Sequence, residues 1–340
     1  MERLAGIARQ EAVDAVLVAG DVFDAQTVSD RTIRRLFNAM GAYAGPWVLI
    51  PGNHDAALAE SVWSRARRLG AVAPNVHLAL GAQVMAFPER GFVVLPAPLT
   101  QRQTPADETA WFDHAETAPG LVRVGLAHGS VQGVLAEDID SPNPIAADRA
   151  TRAALDYLAL GDWHGTRRID ARTWYSGTPE QDRFKANDPG NVLLVDIPAV
   201  GAEPEVEVRA VGRHPWIALE EKLAVASDLE GTIARLEALP ELAVVDLSLS
   251  GEIHLLGRQR LEAALSVAEA RFRSLRADLS GLRLQPTEDD LAALHADGYV
   301  GRVIAELREE QDGENAEVAS EALAILAALL LEAQAQGAAA

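Results

Sequence analysis

No cysteine occurs among the 340 residues. Its absence excludes disulfides, thiolate zinc sites, iron–sulfur clusters and cysteine nucleophiles together. It also fits an expected cytoplasmic location. Lysine is nearly as scarce: Lys185 and Lys222 are the only two. Phosphate contacts therefore fall mainly to arginine, which grips a phosphate through two parallel N–H groups. Apolar runs are short as well. The longest, Ala322 to Leu331, is well under the ~18–20 residues of a membrane span, so no membrane contact is expected. The stretch after Met1 lacks the apolar core of an export signal.

What is present is a globular composition, 49% hydrophobic and 24% charged. That excludes wholesale disorder and fibrous repeats, and a chain of this length is expected to form about two domains. The net charge of −20 argues against a general nucleic-acid coating protein, which normally shows a basic footprint. Its distribution softens that exclusion. From Thr287 to Ala340 there are twelve acids and two arginines, so this tail alone carries half of the net charge. Basic clusters stand at Arg31/Arg34/Arg35, Arg65/Arg67/Arg68 and Arg167/Arg168.

The first half alternates strand and helix patterns. Apolar runs at 12–19, Trp47–Ile50, 121–127 and 158–160 predict buried strands. Helices are predicted at 31–43, 60–69 and 106–115, with another ending near Tyr157. Met1 to Gln10 also reads as the end of a helix. Beyond residue 165 short β pieces dominate, as in a second, mixed sheet. Near Gly212 the pattern changes to β-α-β-α-β, a small α+β module. The expected fold is thus α/β, with a catalytic domain at 1–212, a capping domain at 213–286 and an acidic helical tail at 287–340. In that tail Thr287-Glu288-Asp289-Asp290 predicts a capping box. A second tail helix places Val318, Leu323, Leu326, Leu330 and Leu331 along one side.

The chemistry lies at strand ends. Gly20-Asp21, Gly52-Asn53-His54-Asp55, His128-Gly129 and Gly161-Asp162-Trp163-His164 each follow an apolar strand. Parallel α/β sheets bind ligands at the carboxyl ends of their strands, so all four segments can converge on one crevice. A lone Gly-Asp after a strand is common, but an Asn-His-Asp run is a poor structural choice unless its polar groups are used. Oxygen and imidazole donors without sulfur suit manganese, iron(II), zinc or magnesium. A carboxylate such as Asp21 can bridge two such ions and clamp a phosphoryl group.

These four segments, in this order, resemble the calcineurin-like metallophosphoesterase superfamily over roughly residues 1–211. The Tyr175-Ser176-Gly177-Thr178-Pro179-Glu180 turn and the C-terminal module are similar to the SbcD-type DNA repair exonucleases within it. The resemblance implies a layered α/β/β/α sandwich and two divalent metal ions, Mn2+ first, with Mg2+, Fe2+ or Zn2+ as alternatives. By position, Asp21 bridges the two metals, Asn53, His128 and Asp162 hold one, and His164 helps hold the other. His54 is then the general acid or transition-state stabiliser, oriented by Asp55, while a metal-bound hydroxide attacks a DNA phosphodiester in line. The resemblance further implies that the C-terminal helices dock on an SMC-like ATPase of the SbcC type.

Asp162 stands where the family usually has histidine, which favours a harder ion. The family also opens with an Asp-x-His or Asp-x-Gln strand upstream of its Gly-Asp segment, and this chain starts too close to Asp21 to contain one; a start upstream of Met1 is expected. Trp163, Trp174 and Tyr175 lie near enough in sequence to stack on DNA bases or, alternatively, to pack beneath the second sheet. Arg167, Arg168, Arg183 and Lys185 suit a phosphate path or a solvated face. Two rivals to the nuclease remain open: a phosphatase or small phosphodiesterase acting on nucleotides, and a non-catalytic scaffold for the ATPase.

Overall fold

The computed structural model describes residues 1–134, 142–185, 187–284, 298–311 and 316–338. The predicted capping box at Thr287–Asp290 lies outside them. The chain divides into two compact units, Met1–Gly212 and Arg213–Ala340.

The first unit opens with α1 (Glu2–Gln10), β1 (Val16–Ala19), α2 (Asp30–Met40), β2 (Trp47–Ile50), α3 (Val62–Arg68) and β3 (Val76–Leu78). A helix between successive strands returns the chain to the same end, so β1, β2 and β3 pair in parallel and in that order. Local chemistry sets the helix starts. The Ser29 hydroxyl accepts the Thr32 amide at 3.1 Å, and Ser61 and Ser64 cap each other at α3. Strand alternation separates two cores. Trp47 and Leu49 pack with Ile33, Phe37, Met40 and Trp63 of the helices, whereas Val48 and Ile50 face a second sheet.

That second sheet follows β4 (Met85–Phe87), β5 (Phe92–Ala97), β6 (Val122–His128), the short pair β7 (Ser130–Val131) and β8 (Pro144–Ile145), α4 (Arg149–Arg152), β9 (Tyr157–Gly161), β10 (Arg167–Arg168) and β11 (Thr173–Tyr175). Its order is β10-β11-β9-β6-β5-β4, parallel in the middle and antiparallel at both edges. Phe92, Val94 and Leu126 meet Val48 and Ile50 between the sheets. Leu95, Ala97 and Leu158 turn outward to Phe112 and Ala150. Helical and β layers therefore stack in the metallophosphoesterase manner, with a hairpin of β12 (Asn191–Asp196) and β13 (Glu205–Ala210) completing the unit. All four residues of β1 are half-buried, whereas all four of β2 are buried.

Two predicted helices are shorter than expected. At 106–115 only one 3-10 turn forms, Ala110–His114. There Asp107 serves as a tie between loops: its carboxylate accepts the Thr109 and Ala146 amides and the Arg149 guanidinium, at 2.9, 3.0 and 2.7 Å. The helix expected to reach Tyr157 stops at Arg152, and Tyr157 starts β9.

The second unit contains β14 (Trp216–Leu223), α5 (Ala226–Ala238), β15 (Val244–Ile253), α6 (Leu255–Arg271) and β16 (Ser274–Leu284). The strands are all parallel, so the module expected as α+β is built from two β-α-β units. Val245, Leu247 and Leu249 pack with Leu229, Leu236 and Leu261. Then come α7 (Tyr299–Glu310) and α8 (Ala316–Ala338). Leu323 and Ala327 bury against Ile304, with Leu326 and Leu330 beside them. Val318, expected on that same side, is instead exposed with Ile325 and Leu329. Among the described residues no helix is long and apolar enough to cross a membrane.

Candidate metal centre

The ends of β1, β2, β6 and β9 meet at one place. Ala19, the last residue of β1, accepts a hydrogen bond from His128 Nδ1 at 2.7 Å. With Nδ1 donating, Nε2 of this buried ring looks the other way, into a ring of oxygens. Asn53 Oδ1 lies at 2.9 Å, Asp21 Oδ2 at 3.4 Å and Asp162 Oδ1 at 3.7 Å.

Glycine makes this convergence possible. A Cβ at Gly161 would fall 1.9 Å from the Ala19 carbonyl oxygen, and one at Gly20, where φ is +88°, would fall 2.4 Å from His128 Nδ1. Asp21 and Asp162 follow those glycines, and both have left-handed backbones, with φ of 49° and 98°. Non-glycine residues rarely adopt such angles, and strain of this kind gathers at functional sites.

The electrostatics follow from the crowding. Burial raises the Asp21 carboxyl, but the His128 hydrogen bond and charge and the His54 amide outweigh it and hold it below the usual carboxylate value. For Asp162 burial dominates and lifts its pKa, the Asp21 charge adding to it. Burial disfavours the protonated His128, yet Asp21 and Asp162 raise its pKa above the ordinary histidine value.

Three oxygens around one ring nitrogen require a positive species between them, a proton or a metal ion. The donor set, two carboxylates, one amide oxygen and one imidazole, fits a single divalent cation of the harder kind. Among the described residues no three His, Asp or Glu side chains already close on a common point as a finished cage. Nε2 is drawn to Asn53 and Asp21 themselves.

His164 has other company. Asp182 Oδ2 stands 2.8 Å from its Nδ1, and the Arg183 guanidinium lies 2.9 and 3.1 Å from its two ring nitrogens. N–H groups against both nitrogens do not fit a second metal as arranged.

His54 is half-exposed beside this cluster. Its amide donates to Asp21 Oδ1 at 2.9 Å, and its Nδ1 lies 3.0 Å from the Asp24 carbonyl oxygen and 3.4 Å from Asp24 Oδ1. The expected orienting residue, Asp55, does not do this. Asp55 is fully buried and accepts the amides of Gly52, Val22 and Phe23 at 2.7, 2.8 and 3.1 Å. Burial pushes its carboxyl up to about 6 despite those three donors. Its work is to lock the loop after β1 onto the loop after β2, while Asp24 holds the catalytic candidate. Sequence reasoning missed Asp24. The available signal was its place three residues after Asp21, in the same loop. Asp182 gave no such signal.

The proposed substrate contacts divide. Tyr175 is buried, its hydroxyl donating to the Gly129 carbonyl at 2.8 Å and accepting the Val131 amide at 3.0 Å. It holds the turn after His128 and cannot stack on a base. Trp163 is half-buried, with Arg167 and Lys185 over its ring at 5.5 and 5.3 Å. Arg168 lies over Trp174 and reaches Glu203, and Arg183 pairs with Asp182.

Two carboxylates, one amide oxygen and one imidazole at strand ends, on a layered α/β frame, are the kind of donor set that a metal-dependent phosphoesterase uses. The calcineurin-like phosphoesterase family matches residues 1–197, more than half of the chain, and the chain belongs to that family. Members typically use two metal ions. The crystal structure of TT1561 of Thermus thermophilus is similar at 14% identity, with a TM-score of 0.41, over 62% of this chain and 92% of that one. No curated protein matches the chain.

Proposed function

We propose that this chain hydrolyses phosphodiester bonds of DNA, as the nuclease subunit of a repair assembly. The observation that carries the hydrolytic part is the ring of Asp21, Asn53 and Asp162 oxygens around His128 Nε2. In this reading those four side chains hold one divalent ion, Mn2+ first. Bound there, such an ion supplies Lewis-acid polarisation of the phosphoryl oxygen and activation of water.

The chain's own groups do the rest. Asp24 holds Nδ1 of His54, so that Nε2 is the nitrogen presented to substrate and moves the proton to the leaving oxygen. The His54 amide fixes one oxygen of Asp21 and leaves the other facing His128 Nε2, so the carboxylate is oriented before substrate arrives. Asp55 keeps the two loops in register from beneath.

DNA is favoured over nucleotides by the arginines and Lys185 beside Asp162. The net charge of −20 favours the rival, a phosphatase or small phosphodiesterase. Linear duplex DNA, a chromogenic phosphodiester and a nucleoside monophosphate, each with Mn2+, separate the two. DNA cleavage lost in His54→Ala supports the nuclease; turnover of the monophosphate with intact DNA supports the rival. Hydrolysis of none of them would leave the scaffold reading. The exposed stripe of Val318, Ile325 and Leu329 supports docking on the coiled coil of an SMC-like ATPase. Val318→Asp/Ile325→Asp is then expected to abolish co-purification with that partner, and unchanged co-purification would refute the docking.

A further inference from the structure

Over Trp163, the residue after Asp162, stand two cations that no carboxylate answers among the described residues. Lys185 Nζ lies 5.3 Å, and Arg167 Cζ 5.5 Å, from the centroid of the Trp163 ring. Arg167 donates one N–H to the Val134 carbonyl at 3.0 Å. Among the described residues neither cation is paired with a carboxylate. What sets them apart is the shared ring: both cations lie over one indole, that of the residue that follows Asp162.

Trp163 is well placed to hold them. Its ring packs partly against the core that contains Leu160 and Tyr175. Its backbone lies between Asp162, whose Oδ1 is 3.7 Å from His128 Nε2, and His164. The π face attracts a cation without accepting its N–H groups in the manner of a carboxylate. All three ammonium donors of Lys185 are therefore available to a ligand. A base could stack on this face only by displacing the cations.

We propose that Trp163, Arg167 and Lys185 form a subsite for a second phosphate group of the substrate. It selects esters that carry a further phosphate, whether a nucleic-acid backbone or a nucleotide polyphosphate, over isolated monoesters. The subsite deepens the hydrolytic reading above and rests on it for the position of the first phosphate.

Calorimetric titration of the full chain with inorganic phosphate, pyrophosphate and a thymidine pentanucleotide tests it. Pyrophosphate and the oligonucleotide are expected to bind more tightly than phosphate. Lys185→Ala is expected to weaken that preference about tenfold, as loss of one charge-assisted contact does, and Lys185→Arg to restore most of it. Trp163→Phe, which keeps an apolar ring in the core, is expected to weaken it less. A preference lost only for the oligonucleotide identifies a backbone phosphate, and one lost only for pyrophosphate identifies a polyphosphate. Unchanged binding of both in Lys185→Ala and in Arg167→Ala would overturn the subsite.

Hydrolysis separates this from the parent reading. If His54→Ala abolishes turnover while Lys185→Ala leaves the ratio of dinucleotide to chromogenic-diester kcat/KM unchanged, the subsite falls and the hydrolase stands. If the wild type hydrolyses nothing while pyrophosphate binding depends on Lys185, the hydrolase falls and the subsite stands.

Discussion

Both units contain a parallel sheet of three strands joined by helices, and among the described residues only the first gathers candidate metal ligands at its strand ends. In the first unit ten residues separate β1 from α2, and eleven separate β2 from α3. In the second unit two residues join β14 to α5, and His254 alone joins β15 to α6. The short connections use their polar groups on the helices themselves. Asp228 accepts the amides of Ala224 and Val225 at 2.8 and 2.9 Å, and His254 Nδ1 accepts the Gly257 amide at 3.1 Å. The long connections are free to turn Asp21, Asn53 and His54 toward one another before any helix begins. A parallel sheet therefore offers a place for a site, and the length of the connection after the strand decides whether polar side chains can gather there.

The largest way to break this contrast is at the long loops. His54→Ala is expected to lower kcat on a chromogenic phosphodiester by about 10²–10⁴, the usual contribution of a positioned proton donor. Asp24→Ala should cost less, roughly tenfold, because its backbone carbonyl still holds Nδ1 at 3.0 Å. If Asp24→Ala matched His54→Ala, the carboxylate rather than the carbonyl would be the orienting group.

Stability should divide in the same way. Gly161→Ala forces a methyl to within 1.9 Å of the Ala19 carbonyl, so a loss of about 1–3 kcal/mol in urea unfolding is expected. Gly231→Ala, in the middle of α5, meets nothing nearer than the tip of Arg235 at 3.7 Å and should gain about 0.5–1 kcal/mol. A loss there would show that α5 does not tolerate ordinary helix formers.

Acid sharpens the contrast further. Burial would raise Asp107 and Asp113, yet the Thr109 and Arg149 bonds at Asp107, and the Arg149 bond and charge at Asp113, carry both below the ordinary carboxylate value. Carboxyls depressed in the folded state stabilise it above their unfolded pKa, and that stabilisation disappears as pH falls through the folded values. The urea midpoint of the first unit is thus expected to drop below about pH 4, and the drop should shrink in Arg149→Met, where the buried guanidinium is gone. An identical acid profile in that variant would remove the Asp107–Arg149–Asp113 cluster from the account.

The strand ends were legible because two signals coincide there: an apolar run long enough to bury, and a glycine next to metal-ligand types. Asp55 was legible as a used residue but not in its role, since a buried carboxyl and a solvent-facing one look alike in an Asn-His-Asp run. Which of them touches His54 depends on how the loop after β1 folds over, a tertiary fact. Tyr175 was open to two readings, because a tyrosine next to a tryptophan reads the same whether its ring is wet or buried. The helix expected over 106–115 failed where Asp107 met Arg149, a partner 42 residues away whose pull on the carboxylate no local pattern reveals. Val318 fell on the wrong side of α8 for a similar reason: an alanine-rich helix has two usable faces, and only its neighbour α7 selects one.

The scarcity of lysine makes the chain optically addressable. Lys185 is the sole lysine of the first unit and Lys222 that of the second, so reductive alkylation with a fluorescent aldehyde, which keeps the ammonium charge, marks one lysine in each unit besides the chain's α-amine. Because Lys185 rests on Trp163, a dye attached there begins quenched by the indole. An anion that draws the side chain off the ring would announce itself as light.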